Sequence, residues 1–279
     1  MSGSTMYTGV SGMSVQQQRM DAIANNIANM NTVGYKSSSL TFQEALVDTL
    51  TSPTVGTPGR QLGLGVQVGM SIKNFATGAM NETGVSSQFA IQGDGFFVVQ
   101  KQDPTTGVPT GPQYYTRAGD FTLNVRDANT INLINASGYA LLGNDGNPIN
   151  LRTNIADPTV NVTSYSVGQG GAITAIGSDG VAYAAGTIPV VSVMNNNGLK
   201  DVGTNMFAWT AAASPTQPTL TGAANPSSVS VVQGYVESSN VDLTREFSEL
   251  IITERGYQAN SKTITTADQM MQTVLGLKQ

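Results

Sequence analysis

The residues of this chain that could do chemistry are few and poorly spaced for it. Ser11 sits in Gly9-Val-Ser-Gly12, which lacks the second spacer of a Gly-x-Ser-x-Gly nucleophile elbow, and no His exists to take its proton. Gly63-Leu-Gly65 is too short for a dinucleotide loop, and no Walker A pattern occurs. Asn144-Asp145-Gly146 and Ser178-Asp179-Gly180 lack the carboxylate spacing of a calcium loop and read as tight turns. Glu249 and Glu254, five residues apart, are turned about 500° around a helix axis and form no acid pair. Arg245 with Glu249, four apart, is an ordinary helix-surface ion pair.

The chain has no Cys and no His. Disulfides and thiolate chemistry are therefore out, and the commonest general base and transition-metal ligand are missing. No catalytic residue, metal site or cofactor is expected, and the protein is not expected to be an enzyme. Charged residues make up 11 % of the chain, against about 25 % in ordinary soluble proteins. Such a surface can pack against copies of itself with few ions to desolvate. A formal net charge of −5 without a basic cluster argues against nucleic acid. The N-terminus has neither the basic region nor the apolar core of a signal peptide, so export without a cleaved leader is expected. No apolar run approaches the ~20 residues of a membrane helix, so no insertion is expected.

The elements that position the remaining residues differ between ends and middle. Met6, Met13, Met20 and Ile27 follow one another at seven-residue steps, with Val10, Ile23, Ala24 and Met30 between them. This spacing predicts a helical stripe over Thr5–Asn31. Leu243, Leu250, Tyr257, Ile264 and Met271 repeat the design, flanked by Phe247, Ile251, Ala267, Val274 and Leu275. A helix is expected from about Asp242 to Leu277, capped by Asn240 or Asp242. Between them, Phe89–Val99 reads as a hairpin turning at Gly93-Asp94-Gly95, Tyr114–Leu123 as a strand with a Gly-centred turn or bulge, and Ile188–Val193 as a strand whose Pro belongs at its start or on a sheet edge. The expected fold class is α+β: residues 1–40 and 240–279 form a discontinuous, coiled-coil-like helical domain, and 41–239 a mainly-β domain with linkers near 51–65 and 211–228.

Asp21-Ala-Ile-Ala-Asn-Asn-Ile-Ala-Asn-Met-Asn-Thr-Val-Gly-Tyr-Lys36 resembles the N-terminal signature of the bacterial flagellar axial family of rod, hook and hook-associated proteins. Gln92–Val98 and Tyr115–Phe121 are similar to its central β segments, and Gly234-Tyr-Val-Glu-Ser-Ser-Asn-Val-Asp-Leu243 with Gln258–Lys262 to its C-terminal signature. In this signature Asn25, Asn26 and Asn29 supply amide groups at helix spacing, and Gly34 is the expected helix stop.

The resemblance implies export through the flagellar type III apparatus and terminal helices that fold together in a helical polymer of copies of this chain. The self-assembly interface is then expected on the apolar and Asn residues of the two helices named above, Ala24, Ala267 and Val274 excepted. Neighbouring rod and hook–filament junction proteins and a hook or rod cap are the implied partners. Asn31–Tyr35, Leu64–Val68, Val241–Leu243 and Glu254–Gln258 look more like hook protein, whereas the length is nearer that of the distal rod protein. The expectation is a hook subunit linking rod to filament and transmitting torque. A distal rod subunit in the basal body is the alternative, and a secreted β-rich adhesin or tail-like module stands behind both.

Overall fold

The structure, a computed structural model, describes residues 2–45, 47–51, 60–103, 107–127, 129–155, 157, 159–218, 220 and 229–277. Its contacts define two compact units: Met1–Met30 with Ser37–Asn74 and Val241–Gln279, and Asn31–Lys36 with Phe75–Asn240. Helices at the two ends and a mainly-β middle make the chain α+β.

The first unit holds helix α1 (Ser2–Ala28), strands β1 (Ser38–Glu44), β2 (Val47–Thr51), β3 (Arg60–Gly63) and β4 (Val66–Lys73), and helix α2 (Leu243–Gly276). Asp242 caps α2: its carboxylate accepts from the backbone N–H groups of Thr244 and Arg245 at 2.9 and 3.3 Å, satisfying two donors a helix start leaves open. Helix α1 ends at Ala28, well before the stop expected at Gly34. The 51–65 segment, expected as an irregular linker, includes β3, which pairs antiparallel with β2; residues 52–59 lie outside the described residues. Strands β1 and β4 form a second antiparallel ribbon, with a bulge between Leu40 and Phe42.

The second unit contains β5 (Met80–Glu82), β6 (Phe89–Gln92), β7 (Phe97–Gln102), β8 (Pro109–Thr116), β9 (Thr122–Asp127), β10 (Thr130–Ile134) and β11 (Tyr139–Leu141). It continues with β12 (Val162–Val167), β13 (Ala172–Gly177), β14 (Ala182–Thr187), β15 (Lys200–Gly203), β16 (Met206–Ala208), β17 (Ser230–Gln233) and β18 (Tyr235–Glu237). The largest sheet runs β15-β16-β8-β7-β11-β10-β9, and β12-β13-β14 form a three-stranded sheet. The apolar run Phe96-Phe-Val-Val99 does not alternate because both faces are covered here. Phe97 and Val99 join a core with Phe89, Phe121, Leu133 and Leu141, while Phe96 and Val98 join Tyr115, Leu142 and Phe207 on the other side. All four residues of the run are at most 1 % exposed. Each fully buried Phe or Val side chain contributes roughly 1.5–3 kcal/mol by leaving water.

Three expectations are corrected in this unit. Phe89–Val99 is not a hairpin: β6 pairs with β17, whereas β7 pairs with β8 and β11. Gly93-Asp94-Gly95 instead carries the chain from one sheet to another, with φ of 112° and 152° at its glycines, angles that glycine adopts without a Cβ penalty. Tyr114–Leu123 divides into the end of β8 and the start of β9. Ile188–Val193 makes only an isolated bridge, Val191 with Phe96, because Pro189 has no N–H with which to continue a ladder. Of the return linker expected near 211–228, residues 219 and 221–228 lie outside the described residues.

Candidate functional site: the helix pair and a buried ionic node

Within the first unit α1 and α2 run antiparallel and close together. Gly9 faces Ile264, Gly12 faces Asn260 and Gly256 faces Gln16, and a Cβ at these glycines would come within 2.8, 2.6 and 2.8 Å of those side chains. Farther along, Arg19 Nη2 meets Glu249 Oε2 at 3.3 Å and Asn26 Nδ2 donates to Glu246 Oε1 at 3.2 Å.

The buried seam is out of phase with the apolar stripe read from the sequence. On α1 it comprises Gly9, Gly12, Val15, Ile23 and Asn26, and on α2 Glu246, Thr253 and Ala267 with Asn260 half-buried between them. The seven-residue stripe lies beside this seam: Met6, Met13, Met20, Ile27, Leu243, Leu250, Tyr257 and Ile264 are half-buried, as are Asn29 and Met30. Val10, Asn25, Phe247, Ile251, Met271 and Leu275 are exposed. Hydropathy favours large apolar residues, so a seam of Gly, Thr, Asn, Glu and Ala escapes it. The legible signal was the heptad Glu246-Thr253-Asn260-Ala267, whose small and polar side chains admit close helix approach.

Of the three signature asparagines, Asn26 is the buried one, and it makes tertiary contacts. It is 2 % exposed. Its Nδ2 donates to the Ser38 carbonyl at 2.9 Å as well as to Glu246, and its Oδ1 accepts from the Ser38 N–H at 3.0 Å. One side chain thus knits α1, β1 and α2. Asn29 donates back to the Asn25 carbonyl at 2.9 Å and closes the end of α1 locally.

Two carboxylates near this seam titrate in opposite senses. Burial pushes the Glu246 carboxyl up, and the Asn26 hydrogen bond offsets this only partly. At Glu249 burial also acts upward, but hydrogen bonds from Arg245 and Arg19 outweigh it and hold the carboxyl down. A raised folded pKa favours folding fully below the ordinary value of 4.5, and this is lost as pH rises through the folded value. A lowered one acts above 4.5 and is lost as pH falls through the folded value. The helix pair is therefore expected to be firmest in the mildly acidic range. Glu246→Gln should raise its stability at neutral pH and shrink the loss between mildly acidic and neutral conditions, as read by thermal melts followed by circular dichroism.

The second unit holds a node that sequence reading missed. Lys36, Arg117 and Glu237 have side chains 0, 2 and 0 % exposed. Glu237 Oε1 accepts from Lys36 Nζ at 2.5 Å and from the Gly78 N–H at 2.8 Å, and its Oε2 accepts from Arg117 Nη1 at 3.3 Å. Lys36 Nζ also donates to the Ala76 carbonyl at 2.8 Å, and Arg117 Nη2 to the Gly93 carbonyl at 2.8 Å. Burial pulls the Lys36 ammonium below its ordinary range, with Glu237 pulling it part-way back. Gly34, two residues before Lys36, donates its N–H to the Glu237 carbonyl and has φ 68°. A Cβ there would come within 2.5 Å of the Ala118 backbone, so glycine is needed for space as well as angle. The node ties together segments 201 residues apart in the chain. It has the chemistry of an anchor: every charge faces a partner, and no side chain is left as a base or nucleophile. Among the described residues no group of three or more acidic side chains is placed to hold a metal ion.

Lys36 and Glu237 lie in the two terminal signatures, and both signatures find counterparts in known proteins. Residues 6–36 match the flagella basal body rod protein family, 90–175 the flagellar hook protein FlgE/F/G D1 domain, and 232–277 the flagellar basal body rod FlgEFG protein C-terminal family. The chain is 35 % identical over 285 residues to flagellar basal-body rod protein FlgG of Bacillus subtilis (strain 168), covering 99 % of each. It belongs to the bacterial flagellar axial family. The FlgG of Agrobacterium fabrum is 35 % identical over 93 % of each chain, and the flagellar hook-basal body complex protein FlhP of Bacillus subtilis 31 % over 96 % of each. Members of this flagellar axial family are structural, and the chain is a structural flagellar protein, not an enzyme. Among the described residues no helix is long and apolar enough to cross a membrane.

Proposed function

We propose that this chain is a self-assembling subunit of the flagellar rod, in the distal part of the basal body. The observation that carries the reading is collinear similarity, along 93–99 % of the chain, to proteins named basal-body rod protein. The hook placement expected from short motifs draws support only at the level of the FlgE/F/G family. On the rod reading the subunit polymerises with its copies, meets neighbouring rod and hook components, and reaches its site through the flagellar export apparatus with a rod cap at the growing end.

The assembly surface lies on the terminal helices. Tyr7 and Val10 on α1, and Phe247, Ile251, Ile252, Met270, Val274 and Leu275 on α2, are 49–66 % exposed. These large apolar side chains stand in water in the single chain, as expected where a partner covers them.

Deleting the gene separates the two placements: basal bodies without a distal rod support the rod reading, and complete rods without hooks support the hook. Self-assembly is tested by removing residues 1–28 or 243–279, either of which keeps Lys36 and Glu237 in the chain. Each truncated protein is expected to lose polymerisation while its β unit still unfolds cooperatively. Tubes assembled from a doubly trimmed protein would overturn the reading.

A further inference from the structure

The chain enters the β unit twice. Asn31–Lys36 joins it briefly and leaves again for Ser37–Asn74, and Phe75–Asn240 makes up the rest. The short segment lies in no helix or strand and gains no ladder of its own. Other parts of the β unit hold it. Gly34 and Lys36 are tied to Glu237, the first through its backbone carbonyl and the second through its carboxylate. From a different direction, Asn205 Nδ2 donates to the Val33 carbonyl at 2.8 Å.

Asn205 stands in an unusual turn. With Thr204 it joins β15 to β16, the two residues having φ of 56° and 51°, and among the described residues no other non-glycine residue has a positive φ. A two-residue hairpin turn of this kind favours Gly at its second position, and a β-branched Thr suits the first poorly. The turn therefore departs from its local optimum, and the departure lets the Asn205 amide reach Val33. Thr116 Oγ1 on β8 donates to the Asn205 carbonyl at 2.8 Å and steadies the turn. The two units also differ in what they bury. Both hydrophobic cores lie in the β unit, whereas the buried apolar side chains among the described residues of the helical unit are Val15, Ile23 and Ala267. With less apolar surface withdrawn from water, the helical unit is the part that opens at the lower free energy.

We propose that Asn205, acting with Lys36 and Glu237, is a clasp that ends such opening at residue 36. Asn31–Lys36 then stays folded on the β unit while the helical unit opens and closes. The clasp works because its parts come from separate elements, the β15–β16 turn and β18, so neither hold on the segment depends on the helices being formed.

Amide hydrogen exchange of the full-length protein, read on peptic fragments, tests this. The fragments of α1 and α2 are expected to exchange at least about tenfold faster than those of β7 and β8, with Asn31–Lys36 following the strands and not the helices. Asn205→Gly separates a clasp from an ordinary turn. By turn chemistry alone, glycine suits the left-handed angle and should leave exchange unchanged or slower. Loss of the bond to Val33 should instead speed exchange of residues 31–36 roughly tenfold and leave β7 and β8 as they were. Residues 31–36 exchanging at the rate of the helices in the native protein would overturn the clasp, as would unchanged or slower exchange there in N205G. Acceleration reaching β7 and β8 to the same degree also overturns it, because the substitution would then have weakened the whole unit.

Discussion

Replacing Glu237 with Gln is expected to lower the unfolding free energy of the β unit by about 3–5 kcal/mol, the usual cost of removing one partner from a buried ion pair. The asymmetry of the node makes the case sharper. Two cations, Lys36 and Arg117, share one buried carboxylate, and the nearest other one, Asp94, is 4.0 Å from Arg117 with its side chain 89 % exposed. Without Glu237 two buried cations face each other with little between them. Lys36→Met leaves Arg117 with Glu237, a balanced pair, and the Ala76 carbonyl keeps its bond from Asn240 Nδ2. That variant should cost clearly less. Trp209, the only tryptophan, packs against the core containing Phe96 and Tyr115 and reports on this unit alone. Urea unfolding followed by its fluorescence gives both values. A loss below about 1 kcal/mol for E237Q, within the range of ordinary point substitutions, would mean that the node is not the anchor described here.

Asn26→Ala is expected to weaken the helical unit by about 2–4 kcal/mol, whereas Asn25→Ala should stay within roughly 0.5 kcal/mol of the native protein. The two residues are neighbours of identical chemistry, and the difference lies in what each faces. Losing the Asn26 amide takes one hydrogen-bond partner each from the Ser38 N–H, the Ser38 carbonyl and the Glu246 carboxylate, with Ser38 half-buried and Glu246 buried. Asn25 is exposed and takes part in the local closure of α1. Asn26→Asp adds a second carboxylate against Glu246 and should be the most damaging near neutral pH, with partial recovery on acidification. Far-UV circular dichroism melts of the full-length variants measure the order. Equal effects at positions 25 and 26 would remove Asn26 from its role as the tie between α1, β1 and α2.

The ends of this protein were legible in the sequence because helix formation leaves periodic and local marks. Seven-residue spacing over two Pro-free stretches announced α1 and α2, and Asn240 or Asp242 announced a cap, of which the structure takes Asp242. The terminal signatures were legible too. Tertiary structure alone decided which helix face is buried, because burial follows from close approach at Gly9, Gly12 and Gly256 rather than from hydropathy. It also decided that Gly93-Asp94-Gly95 joins strands of different sheets, since turn residues specify local φ angles and not the strand that lies alongside. The pairing of Lys36 with Glu237 was equally invisible: a Lys and a Glu separated by most of the chain carry no periodicity. They acquire meaning only where burial takes both out of water and leaves each as the other's main counter-charge.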